Sequence, residues 1–125
     1  MEKNPNTFYI KLAHLFYAVA MADKKMVVEE KRQIVSYVEK YWSHSFDKAK
    51  GKEVIYETMR ELIKKQMTSE EAYEVFKSYF LSLSDGFSNH LSKKIMEVAD
   101  GIATSSLRKN KSELILLTKL RLLLS

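Results

Sequence analysis

Apolar residues recur at steps of three and four along most of this 125-residue chain, and this spacing constrains the fold more than any other feature of the sequence. The clearest run comprises Phe8, Leu12, Leu15, Phe16, Val19 and Ala22. It places its members on one face of an α-helix, which we expect from Thr7 to Ala22. No segment alternates apolar and polar residues as a half-buried strand would. The sequence therefore predicts an all-α fold.

The same spacing predicts five more helices, which gives a compact bundle of about six in one domain, residues 1–125. We expect the second from about Val28 to His44, the third around Val54 to Ile63, the fourth from Thr68, the fifth from a cap at Ser88 or Asn89, and the last from Leu114 to Leu124. Polar or glycine-containing connections are expected at Ser45 to Lys52, at Ser84 to Gly86 and at Thr104 to Lys111.

The start of the fourth helix has the most specific local signal. Thr68 is followed three residues later by Glu71, which is the spacing of a capping box. The buried face of this helix is expected to carry Ala72, Val75, Phe76, Tyr79, Phe80 and Leu83.

Composition excludes several classes of protein. The chain has no Cys, so it can form neither a disulfide framework nor a thiolate metal site. Its N-terminal residues lack the pattern of a secretory signal, and its most apolar stretch is too short to span a bilayer. We therefore expect a cytoplasmic protein without a membrane span.

No arrangement typical of an enzyme is present. His14, His44 and His90 are scattered and lack the spacing of a zinc-binding helix, and no glycine-rich phosphate loop occurs. The formal net charge is +5, and the one net basic patch comprises Arg108, Lys109 and Lys111 with Lys119 and Arg121. Because no aromatic residues alternate with these cations, a solvated loop is favoured over a nucleic-acid site.

Two acidic corners are the most distinctive motifs of the chain. In each, a helix is expected to end at Ala-Asp and a Glu follows where the next helix starts, namely Asp23 with Glu30 and Asp100 with Glu113. Carboxylates that converge on a corner repel one another unless a cation or a hydrogen-bond donor intervenes. Ca²⁺ or Mg²⁺ would suit such oxygen ligands.

These corners resemble those of the TerB-like family of tellurite-resistance proteins, in which an Ala-Asp-Gly turn is followed by Glu in the next helix and occurs twice as a quasi-repeat. The resemblance implies a non-enzymatic helical bundle that acts in a stress response, with a divalent cation held by Asp23, Glu30, Asp100 and Glu113. The chain departs from the family pattern at Lys24, which replaces Gly, and in the second corner, where 13 residues rather than 7 separate Asp from Glu.

A structural role for the acids is the alternative. Lys24 and Lys25 lie beside Asp23 and could neutralise it without a metal. Asp and Glu at helix starts also stabilise the helix dipole. In this interpretation the chain is a helical interaction domain and binds no metal.

The last predicted helix favours a partner. Residues 114–117 are Leu-Ile-Leu-Leu, and four more Leu follow before the end of the sequence, so the helix is apolar on nearly every face. Because one helix at the edge of a small bundle seldom buries its whole circumference, we expect part of it to contact another protein or a second copy of the chain.

Overall fold

The computed structural model describes residues 5–22, 48–83, 86–103 and 111–125, and these form five helices without a strand. The helices are α1 (Pro5–Ala20), α2 (Lys48–Lys65), α3 (Ser69–Ser82), α4 (Asn89–Ala103) and α5 (Lys111–Leu124). They confirm the predicted all-α fold and correspond to the first, third, fourth, fifth and last predicted helices. The second predicted helix, residues 28–44, lies outside the described residues.

Helix α1 is the centre of the bundle. Every residue from 12 to 20 is buried, and α1 packs against each of the other four described helices. The prediction of a single apolar face is therefore wrong for this helix, because Ala13, Tyr17 and Ala18 on its other faces are buried as well. A helix enclosed by neighbours can be apolar all round. The alanines let those neighbours approach closely.

Helix α2 begins earlier than expected. The segment Ser45 to Lys52 was predicted as a connection, but α2 already starts at Lys48 and contains Gly51. A glycine inside a helix costs about 1 kcal/mol relative to alanine. Burial of Ile55 and Leu62 in the core cluster outweighs that cost over the length of the helix.

The connection from α2 to α3 is short and tightly hydrogen-bonded. Gln66 has a positive φ of 56° and ends α2. Its N–H donates to the carbonyl oxygen of Ile63 at 3.1 Å, and the N–H of Met67 donates to that of Leu62 at 3.2 Å. These two bonds form a Schellman motif with Gln in the position that usually holds Gly.

The capping box at the start of α3 is confirmed. The Glu71 N–H donates to Thr68 Oγ1 at 3.1 Å, and the Thr68 N–H donates to Glu71 Oε1 at 3.0 Å. The predicted buried face is correct at Ala72 and Phe76, but Tyr73 is buried in place of Val75, which is half-buried.

Helices α4 and α5 complete the described bundle. The Ser88 hydroxyl accepts a hydrogen bond of 3.1 Å from the Leu91 N–H, which confirms Ser88 as the cap of α4. Phe87, just before it, packs edge-on against Phe80 and Phe8, with ring centres 5.0 and 5.8 Å away. Helices α4 and α5 pack against each other as well as against α1. Among the helices described, none has both the length and the apolar character that a membrane span requires.

Candidate protein-binding surface

Of the four predicted metal ligands, two lie within the described residues and two lie outside them. Asp23 and Glu30 lie outside the described residues, although α1 and its closing turn at Met21 and Ala22 lead directly to Asp23. Asp100 lies in α4 and Glu113 in α5. Within the described ranges, no three His, Cys, Asp or Glu side chains are grouped as a metal site would require.

The second acidic corner was predicted in the wrong place. Helix α4 does not end at Ala99-Asp100 but continues through Asp100 and Gly101 to Ala103. Ile102 and Ala103 are fully buried and extend the apolar face of α4 by another turn. Their burial outweighs the preference of Gly for a turn. The internal quasi-repeat therefore lacks its second corner in the described residues.

Glu113 is entirely buried, with 0% of its surface exposed, in the first turn of α5. A carboxylate in this position interacts favourably with the positive end of the helix dipole. The sequence predicted its place near the start of the helix but not its burial. The consequence for the surface is that α5 has no exposed acidic residue, because Glu113 is its only one.

A cavity of about 380 Å³ opens where the end of α1 meets α3 and α5. Its lining includes Glu70 and Glu74 on α3 and Lys119 on α5, together with Ala22, the last described residue before the Asp23 corner. Because all three charged side chains are exposed to solvent, their mutual attraction is weak.

The outer face of α5 is the most apolar exposed surface that a single described helix offers. Leu116, Leu117 and Leu120 turn into the core. On the opposite side, Leu122 is 71% exposed, and Leu114 and Ile115 are each 50% exposed. We refer to Leu114, Ile115, Thr118 and Leu122 as the outer face of α5.

Cations surround this outer face. Lys111, Lys119 and Arg121 are all exposed. The Thr118 hydroxyl donates to the Leu114 carbonyl oxygen at 2.9 Å, so this polar group is already satisfied within the helix. The result is an amphipathic surface on which every exposed charge that α5 itself contributes is positive. Glu70 and Glu74 of α3 lie across the cavity that Ile115 and Lys119 also line.

A groove of about 900 Å³ runs between the first half of α4 and the last turns of α5. We call it the α4–α5 groove; its lining residues include His90, Lys93, Met96, Glu97, Arg121 and Leu124. The sequence did not single out this groove, because Met96 is not among the residues expected to face inward on its helix, which are Leu91, Ile95, Val98, Ala99 and Ile102. The signal that could have identified it is the pairing of Met96 with the leucine-rich end of the last helix.

Two buried polar side chains of α1 have structural roles. His14 Nδ1 lies 2.8 Å from the Ile10 carbonyl oxygen. Burial lowers the pKa of His14, and Lys11 and Lys65 lower it further, against the raising effect of the Ile10 hydrogen bond. Burial raises the pKa of Tyr17, so its hydroxyl keeps its proton at neutral pH. Neither side chain lines a groove described above.

The predicted basic loop is only partly described. Residues 108–110 lie outside the described residues, whereas Lys111, Lys119 and Arg121 belong to α5. These three cations lie beside exposed leucines rather than aromatic side chains, so the arrangement favours an amphipathic partner over stacked bases.

Comparison of this chain with protein-family models, with curated proteins and with solved structures found no match.

Proposed function

We propose that this chain is a non-enzymatic helical binding module that recruits another protein through the outer face of α5. The single observation that carries this proposal is the 71% exposure of Leu122, two turns further along the same side of α5 than the half-exposed Leu114 and Ile115, on a helix whose opposite side is in the core. Exposed apolar side chains that share one helix face and are bordered by charge are typical of a contact site. The absence of cysteine makes the cytoplasm the compartment that fits best.

A different protein fits this face better than a second copy. In a two-fold dimer through the outer face, the same cations of both chains would come together. Lys111, Lys119 and Arg121 are exposed, and α5 has no exposed carboxylate to pair with them. Like charges placed across an interface are unfavourable.

Affinity purification from cell extract with two matched variants tests the proposal. Leu122→Glu places a carboxylate in the outer face, whereas Leu81→Glu makes the same change at a leucine of α3 that is 63% exposed. We expect specific proteins to be retained equally by the wild type and Leu81→Glu, and at least about tenfold less by Leu122→Glu. Both variants should keep the wild-type Tm, because exposed substitutions change stability by about 0.5 kcal/mol or less.

Two results would overturn this proposal. Equal retention by all three proteins would remove the outer face of α5 as the contact site. A wild-type dimer in sedimentation velocity that Leu122→Glu converts to a monomer would make the partner a second copy of the chain.

A TerB-like stress-response protein with a divalent cation is the second candidate. It is supported by the end of α1, where a turn at Met21 and Ala22 precedes Asp23 as the resemblance requires. In this candidate Asp23 and Glu30 supply carboxylate oxygens to Ca²⁺ or Mg²⁺. Asp100 and Glu113 do not form the second corner of the family pattern in the described residues, because Asp100 lies within α4 and Glu113 within α5.

Metal titration separates the two candidates. If a cation binds at the first corner, Ca²⁺ or Mg²⁺ raises Tm saturably, and Asp23→Ala abolishes the increase. Glu57→Ala, on the exposed side of α2, is the control and should keep the increase. A Tm that is indifferent to both cations would leave only the binding-module proposal.

A further inference from the structure

We infer that the α4–α5 groove accepts an acidic amphipathic segment of the partner protein, and that an apolar side chain of this segment packs on Met96 and Leu124. This inference rests on the proposed function, because Arg121 lines the groove and also flanks the outer face of α5. It adds the chemical class of the partner and a second contact area on α4.

The floor of the groove is apolar and is contributed by both helices. Met96 of α4 and Leu124 of α5 are half-buried and pack against the core cluster, and both line the groove. Methionine adapts its flexible side chain to different apolar partners. An apolar side chain that enters between the helices would therefore bury surface on both sides.

The rim of the groove is basic. Lys93 of α4 and Arg121 of α5 line it from opposite sides, and Glu97 is the only acidic residue among its described lining residues. The guanidinium group of arginine can hold a carboxylate through two parallel hydrogen bonds. Because the whole chain also has a formal charge of +5, an acidic segment is attracted over a distance and held locally.

The groove is shallow and open, and its half-buried apolar floor at Met96 favours a protein segment over a membrane. A volume of about 900 Å³ between two helices can accommodate side chains of an amphipathic helix. A flat lipid surface would contact the projecting Leu122 but would not reach the half-buried floor at Met96. An apolar side chain of a protein segment can instead pack on Met96 and Leu124 within the groove.

Fluorescence anisotropy with a labelled synthetic peptide tests the inference on the full chain. The probe is a helix of about 16 residues, with Leu at steps of three and four and Glu or Asp elsewhere. A scrambled peptide of identical composition and charge is the first control. We expect the patterned peptide to bind at least about tenfold more tightly than the scrambled one.

Three variants locate the site. Lys93→Glu and Arg121→Glu should each weaken binding of the patterned peptide about tenfold, because each replaces attraction with repulsion. Arg60→Glu, at an exposed arginine of α2 outside the groove, is the matched control and should change the affinity less than about twofold. Met96→Gln leaves the net charge and much of the side-chain shape unchanged. It should weaken peptide binding only by making the floor of the groove more polar.

Several results would overturn the inference. Equal binding of the scrambled peptide would mean that only net charge is recognised. If Arg60→Glu lowered the affinity for the patterned peptide as much as Lys93→Glu and Arg121→Glu, the binding site would not be the α4–α5 groove. Binding to phosphatidylserine vesicles, with no binding of the patterned peptide, would make the ligand a membrane. No binding to either probe would also reject it.

The inference and the proposed function can fail separately. If Leu122→Glu loses its cellular partner but the patterned peptide does not bind, the outer face is a contact site and the inferred partner chemistry is wrong. If the peptide binds in the groove but Leu122→Glu retains every partner, the proposed function is wrong and the groove remains a peptide site.

Discussion

The hydroxyl group of Tyr17 in α1 donates a hydrogen bond of 2.7 Å to the carbonyl oxygen of Met67, in the connection between α2 and α3. The same hydroxyl oxygen lies 3.3 Å from the Leu62 carbonyl oxygen. At the next residue of α1, the Ala18 carbonyl oxygen accepts a hydrogen bond of 2.7 Å from the Ser69 hydroxyl. These bonds join the buried central helix to a connection fifty residues further along the chain.

We expect Tyr17→Phe to lower the free energy of unfolding by about 1 to 2 kcal/mol. The variant keeps the aromatic ring but removes the hydrogen bond to the buried end of the α2–α3 connection. Urea unfolding monitored by circular dichroism measures the change. Tyr79→Phe, at a half-buried tyrosine of α3, is the control and should change stability by less than about 0.5 kcal/mol. Equal effects of the two substitutions would contradict the role of the Tyr17 bond.

Two residues with positive φ should respond in opposite directions. Gln66, at 56°, adopts a left-handed conformation that costs a residue with a side chain about 1 kcal/mol. We therefore expect Gln66→Gly to raise the free energy of unfolding by about 0.5 to 1 kcal/mol. Gly86 has a φ of 64°, and we expect Gly86→Ala to lower the free energy of unfolding by about 1 kcal/mol because of this backbone conformation. Space is not the reason, since an added Cβ would lie at an ordinary contact distance of 3.5 Å from Phe80 Cζ. The same urea experiment measures the effects of both substitutions. A higher free energy of unfolding in Gly86→Ala would contradict the left-handed conformation of Gly86.

Gly101→Ala distinguishes the observed helix from the predicted corner. Because Gly101 lies inside α4, alanine should be neutral or stabilise the chain by up to about 1 kcal/mol. If Gly101 instead adopted a left-handed conformation in a turn, the same substitution would destabilise the folded chain. A clear loss of stability, measured by thermal unfolding with Asp100 unchanged, would restore the predicted corner.

Acid should weaken the fold through His14. Its pKa is lowered from 6.5 in the folded chain, mainly by burial, so the unfolded chain binds the proton more tightly. The stabilising contribution is complete above pH 6.5 and is lost as the pH falls from 6.5 through the lowered folded pKa.

Urea unfolding of the wild type and His14→Gln at several pH values isolates this effect. The stability of the wild type relative to the variant should decrease as the pH falls through this range. A difference between wild type and His14→Gln that stays constant with pH, or grows on acidification, would contradict the prediction.

Features governed by neighbouring residues in the chain were predictable from sequence. The capping box at Thr68 depends on residues three apart, and the cap at Ser88 depends on its own first turn. Both were identified because their chemistry is local. The exposed apolar side of α5 was predicted for a related reason, since a helix apolar all round leaves some leucines outside unless it is enclosed.

Features that depend on distant contacts were not predictable. The burial of Ala13, Tyr17 and Ala18 on every side of α1 depends on how many helices surround it, which no local pattern encodes. The Asp100-Gly101 turn signal was overridden by the burial of Ile102 in the core. The α4–α5 groove requires Met96 and Leu124, which are far apart in sequence, to lie together.

The central position of α1 constrains how this protein is made. The helix is synthesised before its packing partners, which include α5 about a hundred residues later in the chain. An isolated helix of this length is only marginally stable in water. Until α5 emerges, the apolar surface of residues 12–20 lacks part of its native cover. Chains truncated before α5 should therefore be the form most prone to aggregation and most dependent on chaperones.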